Sequence, residues 1–398
     1  MIGLRDLALD ERTRLCEERD LAEDRVACIV SPYRICPIGA HIDHQHGPVL
    51  GMTIEAGSAL AYATSGDDRF TVRSANFPGE VSFPLRAPRG GGSEDWGIYA
   101  RAAAFALEAE LPERPVGGVA RIAGSLPGAG LSSSASVILA YLLAIATLNG
   151  ISLDPQQRVA KALRAENEFV GLACGILDPA TIVGGRRDHL LAIDTRAQTW
   201  EAVRLGGAAP PPRVLLAFSG VARSLTGTNF NARVAECREA ARLLGRQVGN
   251  PDAQRLGDLE PQAFADPLDA IPAPLARRAR HFAEECERVR AGVERWREGD
   301  LAGFGRLMND SCRSSIENYE TGSAELVALQ SILRDTPGCY GSRFSGAGYG
   351  GCAVALVDAR RADACRDHVE RAYRTRHPQL AGRAGVFLVG GDGGLRRA

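Results

Sequence analysis

Leu126 to Ser136 reads LPGAGLSSSAS and runs directly into an Ala/Leu-rich stretch that ends at Leu148. Just upstream, Val119 to Ala123 has the short apolar character of a strand. A strand, a glycine turn and a helix therefore follow one another, which commits this part of the chain to a mixed α and β architecture. Gly128 and Gly130 allow close approach of the backbone, and Ser132, Ser133 and Ser134 open the helix. Successive N–H groups and a helix N-terminus carry partial positive charge, and serine hydroxyls donate hydrogen bonds or ligate Mg²⁺, so the segment suits a phosphate. Taken alone, it is equally a glycine turn whose serines cap a helix.

The basic residues narrow the chemistry. Lys161 is the only lysine in 398 residues. A Walker loop needs a lysine to reach the terminal phosphates, and none stands at that place, so that class of phosphate site is excluded. A formal net charge of −1 gives no reason to expect nucleic-acid binding, which requires a concentrated excess of positive charge. A small molecule is the expected partner. Ten cysteines are scattered without a C-x-x-C pair, which predicts reduced thiols and a cytoplasmic setting. Met1 to Glu23 mixes acids and arginines and lacks the apolar core of a signal peptide, and no apolar run is long enough to span a membrane.

With 45% hydrophobic and 24% charged residues, the chain has the composition of a globular protein of two or three domains. Strands are predicted at 25–31, 189–194, 214–218, 351–357 and 385–389. Helices are predicted at 96–107, 132–148, 152–169, 231–244, 275–297 and 325–333. The segment GGAAPPPR, Gly206 to Arg213, cannot continue a helix or a central strand and reads as a linker. The expected organisation is α+β, with one domain over 1–205 and a second over 206–398.

Three further segments carry candidate chemistry. Phe344 to Cys352, FSGAGYGGC, brings Gly346 and Gly348 before an apolar strand, either as a second close backbone approach or as a packing turn. Ser31 to Gly47, SPYRICPIGAHIDHQHG, sets Arg34, His41 and Asp43 on a loop whose path its prolines and glycines restrict. His41, Asp43, His44 and His46 also admit a zinc reading, although alternating positions on an extended segment diverge. Glu166 and Asp178 flank a small apolar stretch, so one can hold a metal ion while the other works on a substrate proton; a solvated helix face and a helix N-cap are the plain alternatives. Trp96 and Tyr99 are aromatic candidates for a base, though aromatics on a helix face more often belong to a core.

The segments around Arg34, Leu126 and Phe344 resemble, in order and spacing, the three motifs of the GHMP kinase superfamily. CGILDPATIVGGRRDHLLAID is similar to the galactokinase segment that carries a catalytic aspartate, and Asn231 to Gly245, NARVAECREAARLLG, is also galactokinase-like. The resemblance implies a two-domain GHMP kinase fold: an N-terminal domain like the second domain of ribosomal protein S5, then a ferredoxin-like C-terminal domain, with ATP and sugar meeting between them. It implies Asp178 as the catalytic carboxylate at the anomeric hydroxyl and Arg34 as the cation beside it. It assigns ATP phosphates to Gly128, Gly130, Ser132, Ser133, Ser134, Gly346 and Gly348, and Mg²⁺ to Ser134 and Glu166.

The chain departs from galactokinases at the sugar. Their first motif reads G-E-H-x-D-Y, whereas here Gly39, Ala40, His41, Ile42, Asp43 and His44 replace it, so the glutamate that contacts the C6 hydroxyl is Ala40. Two like charges about 4 Å apart at an effective dielectric near 20 repel by roughly 4 kcal/mol, so removing that glutamate admits a C6 carboxylate. SPYRICPIGAHIDHQ, SSIENYE and ARSLTGTNFNARVAEC are similar to the galacturonokinases described for plants. That resemblance makes D-galacturonate the expected substrate, with His41 and Arg223 as carboxylate partners and Asp43 in the sugar loop. Phe230 stands where those families have a tyrosine. The alternatives are a galactokinase, a kinase for another C6-modified sugar, and a non-catalytic sugar sensor of the same family, although an intact set of Arg34, Ser134, Glu166 and Asp178 argues against the sensor.

Overall fold

The computed structural model describes residues 2–89, 95–126, 130–172, 174–208, 210–221, 230–264, 268 and 270–398, and for Phe230 its backbone only. In the first half, strands β1 (Ala27–Ile35), β2 (Val49–Thr64), β3 (Arg69–Ser74), β4 (Glu80–Pro84), β5 (Gly118–Gly124), β6 (His189–Asp194) and β7 (Thr199–Arg204) accompany five helices. These are α1 (Leu4–Arg19), α2 (Ile98–Leu107), α3 (Ser133–Leu148), α4 (Pro155–Arg164) and α5 (Leu177–Gly184). In the second half, β8 (Arg213–Phe218) is followed by α6 (Phe230–Gln247), α7 (Ala273–Glu298), α8 (Leu301–Glu317) and α9 (Ala324–Arg334). The chain ends with β9 (Cys339–Ser345), β10 (Cys352–Val357), α10 (Ala362–Arg376), β11 (Gly385–Val389) and β12 (Arg396–Arg397).

The first sheet has the order β12-β1-β2-β5-β3-β4, with β6 on the early part of β2 and β7 on β6. β3 and β5 are parallel, and the other pairs are antiparallel. Its central strands are buried on both faces. Ile29, Leu60, Tyr62 and Ile122 pack against α2 and α3, while Cys28, Val30, Ala59 and Ala61 pack against Leu4, Ala8 and Leu15 of α1. The two-residue β12 returns the C-terminus to this sheet, so 390–398 do not stay with the second.

The second sheet, β11-β8-β10-β9, is antiparallel throughout. Residues of β8 alternate cleanly, as a strand between two layers must. Val214, Leu216 and Phe218 join the core with Trp296, Phe304 and Met308, and Leu215 and Ala217 face Leu326, Leu329, Val369 and Tyr373. The former core also takes in Ile35, Leu50 and Met52 of the first sheet, so apolar side chains from both halves interlock beside the site. Among the described residues, no helix is long and apolar enough to cross a membrane.

Candidate active site

A cleft of about 210 Å³ lies where the two halves meet. Its walls are the loop after β1, the turn that opens α3, the start of α5 and the turn after β9. The four segments singled out in the sequence thus reach one cavity.

Arg34 sits on β1 just past an irregularity in its pairing with β2, and its backbone N–H donates to Leu131 O at 3.2 Å. Its side chain is 6% exposed and donates from Nε to Asp178 Oδ1 at 2.6 Å. The second carboxylate oxygen, Oδ2, accepts from the Ser132 hydroxyl. Asp178 occupies the first turn of α5, where the helix dipole favours an anion, and Ile176 rather than Asp178 is the N-cap. Two donors from different elements therefore fix the carboxylate at the cleft, still 22% exposed. Gly130 has φ +84°, and a Cβ there would stand 2.6 Å from Ser345 O, so glycine is required where the turns after β5 and β9 touch. Its carbonyl accepts from Ser345 Oγ at 2.6 Å and from Arg34 Nη1 at 3.3 Å.

Glu166 lies in a single π-helical turn, Ala165–Val170, that continues α4. Such an insertion re-aims side chains and is common at functional sites. The carboxylate is 1% exposed, and neither oxygen has a hydrogen-bond partner, although Ser134 and Cys174 are close. Burial, and then the charge of Asp178, push it from the ordinary 4.5 up to about 7. A buried carboxylate without a donor fits a cation held by one acid, a hydroxyl, phosphates and water, which is how Mg²⁺ is usually bound. The sign of the linkage follows. Below pH 4.5 both folded and unfolded states hold the proton, between 4.5 and about 7 only the folded state does, and above 7 the folded state bears the full penalty. Glu166→Gln is expected to stabilise the ligand-free protein at pH 8 by on the order of 3 kcal/mol and to leave it unchanged near pH 4.5, checked by denaturant titration at both pH values.

The loop after β1 is gripped from α7. Gly39 N donates to Glu285 Oε1 at 2.7 Å, and Ala40 O accepts from His281 Nε2 at 3.0 Å. His281 and Glu285 are one helical turn apart, and both are 0% exposed. Gly39 has φ +102°, and a Cβ would meet Val49 Cα at 2.7 Å. Ala40 and His41 line the cleft. The His41 ring stacks on Tyr319 with centroids 4.5 Å apart and 7° between planes, and its buried Nε2 has no partner. Burial, with His281, Arg343 and His44 nearby, holds the His41 imidazole well below its ordinary range, so it is neutral. Asp43 is pushed up to about 6 by burial and by Asp178, and Gly175 leaves room for its carboxylate.

Most residues expected at the site converge there: Arg34, Ala40, His41, Asp43, Gly130, Ser132, Ser133, Ser134, Asp178 and Gly346 line the cleft. Gly348 instead packs against Thr321 and Gly322, and Gly322 N donates to its carbonyl at 3.1 Å. Gly128, Arg223 and the side chain of Phe230 lie outside the described residues. The zinc reading is set aside for the described residues, because the imidazoles diverge: His44 meets the Tyr319 hydroxyl at 3.1 Å, and His46 meets Asp258 at 3.1 Å. Tyr99 lines the cleft, whereas Trp96 stacks on Phe77 and donates to Pro78 O. Asn231, Tyr319, His281 and Glu285 were missed as site residues. For the last two a signal existed, since a histidine and an acid at i and i+4 interrupt the apolar face of α7.

Comparison with known proteins matches this geometry. Residues 98–186 fit the model of the GHMP kinases N terminal domain, and residues 289–375 fit the GHMP kinases C terminal model. A galacturonokinase of Arabidopsis thaliana is 40% identical over 91% of this chain and 90% of its own. A galactokinase of Homo sapiens is 32% identical over 92% of both chains. The crystal structure of Lactococcus lactis galactokinase complexed with galactose superposes with a TM-score of 0.88 at 29% identity, covering 99% of this chain and 100% of that one. Identity at this level along nearly whole chains, on one two-domain α+β fold, means that the chain belongs to the GHMP kinase family.

Proposed function

We propose that this chain is an ATP-dependent sugar-1-kinase that transfers the γ-phosphoryl group to the anomeric hydroxyl of D-galacturonic acid, giving galacturonate 1-phosphate. The observation that carries the substrate assignment is the uncharged wall at Ala40 beside the partnerless His41 Nε2. A neutral imidazole donates one hydrogen bond to a carboxylate, and an arriving negative charge favours its protonation and strengthens that bond. Arg223 is the second proposed carboxylate partner. Phe230 lacks a tyrosine hydroxyl that both galactokinases and the plant galacturonokinases carry, so this position does not separate the two sugars. The likeness to the Arabidopsis galacturonokinase supports the same reading.

In this mechanism Asp178, oriented by Arg34 and Ser132, accepts a hydrogen bond from the anomeric hydroxyl and takes its proton as the bond from that oxygen to the γ-phosphorus forms and the bond from phosphorus to the β-phosphate oxygen breaks, releasing ADP. Arg34 offsets the charge of the moving phosphoryl group. The turn at Gly130 and Ser132 to Ser134, with the α3 N-terminus behind it, would hold the ATP phosphates, Gly128 is a further proposed contact, and Gly346 and Gly348 belong to the turn that faces it. Ser134 and Glu166 would hold Mg²⁺, which would supply positive charge to offset that of the phosphates. Because the Glu166 proton competes with the cation, the Mg²⁺ needed for half-maximal nucleotide binding is expected to rise as pH falls below about 7. Isothermal titration at pH 6 and pH 8 checks this. Free cysteines support a cytoplasmic setting in this reading.

The test is phosphorylation of galacturonate, galactose and glucuronate in parallel, compared by kcat/KM. Galacturonate is expected to lead. A lead for galactose would overturn the uronate assignment, and binding of a sugar without turnover would replace the kinase by a sugar sensor.

A further inference from the structure

A buried polar chain runs between the sugar loop and the nucleotide-side turns. It starts at Gly39 N, which donates to Glu285 Oε1 on α7 at 2.7 Å. The same oxygen accepts from the Ser311 hydroxyl on α8. Ser311 Oγ in turn accepts from Arg343 Nη1 on β9 at 2.6 Å, and that guanidinium lies 3.7 Å from the Glu285 carboxylate. Arg343 Nε donates to Phe344 O at 3.0 Å, and the next residue, Ser345, donates to Gly130 O at 2.6 Å. Gly130 O also accepts from Arg34, whose Nε holds Asp178. Glu285, Ser311 and Arg343 are all 0% exposed.

Such a chain is an expensive way to fill a core. A buried ion pair is commonly no more stabilising than apolar residues of the same volume, yet cutting it leaves an unpaired buried charge. Here the charge is well partnered. Burial works against the Glu285 carboxylate, but His281, Arg288, Arg343 and the Ser311 hydrogen bond together hold it below the ordinary carboxylate range. The links pass from the loop after β1 to α7, α8 and β9, and the two ends are the backbone of the sugar loop and the turn that faces the phosphate loop.

We infer that Glu285 is a positioning residue: through Ser311 and Arg343 it ties the sugar loop to the turn after β9, so that nucleotide and sugar each favour binding of the other. Glu285 touches neither substrate in this assignment and acts through the Gly39–Ala40 backbone. The inference rests on the kinase reading above but is independent of which sugar leads. Coupling of this kind is read as the factor by which each ligand changes the affinity of the other.

The experiment measures the dissociation constant of the leading sugar with and without a saturating non-hydrolysable ATP analogue and Mg²⁺, and the converse, by isothermal titration. In the unaltered protein, each ligand is expected to tighten the other by the same factor, within the usual range of about 5- to 150-fold. Ser311→Ala keeps the Gly39–Glu285 hydrogen bond and removes only the bridging hydroxyl. It is expected to bring the factor to within twofold of one, with the binary sugar constant unchanged and kcat lowered more than KM is raised. Glu285→Gln is expected to lose the coupling and also to weaken the binary sugar complex. If both ligands bind the unaltered protein without enhancing each other, or if Ser311→Ala retains the full factor, the inference is overturned. If no sugar binds the unaltered protein, the kinase reading falls first and this one with it. A Glu285→Gln protein that does not fold leaves the decision to Ser311→Ala.

Discussion

Asp178→Asn is expected to lower kcat by about 10²- to 10⁴-fold, while the dissociation constants of sugar and nucleotide stay within about threefold. The two donors that orient the carboxylate make the substitution a clean one. An asparagine keeps its carbonyl oxygen on Arg34 Nε, and the Ser132 hydroxyl can turn to accept from the amide. Shape and position are preserved, and what is lost is the proton acceptor at the anomeric hydroxyl. Arg34 and the α3 N-terminus would still stabilise the transferring group, so residual turnover is expected. Single-turnover phosphorylation with both ligands saturating separates chemistry from binding. A loss smaller than tenfold would show that Asp178 only positions the hydroxyl. An equal loss in binding would show that the pair with Arg34 shapes the pocket instead.

Ala40→Glu is expected to reduce kcat/KM for galacturonate by about 10²- to 10³-fold and to raise it for galactose by about ten- to a hundredfold. The first figure follows from roughly 4 kcal/mol of repulsion between two carboxylates about 4 Å apart at an effective dielectric near 20. The second reflects a regained hydrogen bond to a charged acceptor, worth about 1.5–3 kcal/mol. The loop should tolerate the exchange, because α7 holds it through Gly39 N and Ala40 O rather than through the side chain. Ala40 lines the cleft. Opposite movement of the two sugars is the signature to look for. If both fall together with an unchanged melting temperature, residue 40 does not read C6.

Local pattern located the parts of this site well. The strands 189–194 and 385–389 and the start of α3 stand within a residue of where periodicity and glycines put them, because each depends on side chains close in sequence. The same rules did not reveal β2. Its sixteen residues are buried on both faces apart from Glu55 and Thr64, so no polar alternation marks it. Helix α1 was hidden for the opposite reason: charges crowd it, and only Leu4, Ala8, Glu11 and Leu15 are buried. Helix 152–169 was placed as one element, whereas α4 ends at Arg164 and the π turn that aims Glu166 follows, a change of hydrogen bonding that side-chain period does not register.

The sequence by itself determined that glycine and serine turns, an arginine in a Pro- and Gly-restricted segment and two separated acids were available, and that no lysine stood ready for a Walker loop. Arg34, expected on a loop, lies on β1 because the strand runs on to Ile35. It also determined the absence of a charge at residue 40. Only the tertiary structure decided which groups meet. Arg34 and Asp178 are 144 residues apart, Ser132 and Asp178 are 46 apart, and Gly39 and Glu285 are 246 apart. No local rule reaches across those distances. Packing of the two sheets and their helices sets them, and burial of Glu166 and His41 and the charges around Glu285 then give these groups properties that their residue types alone do not carry.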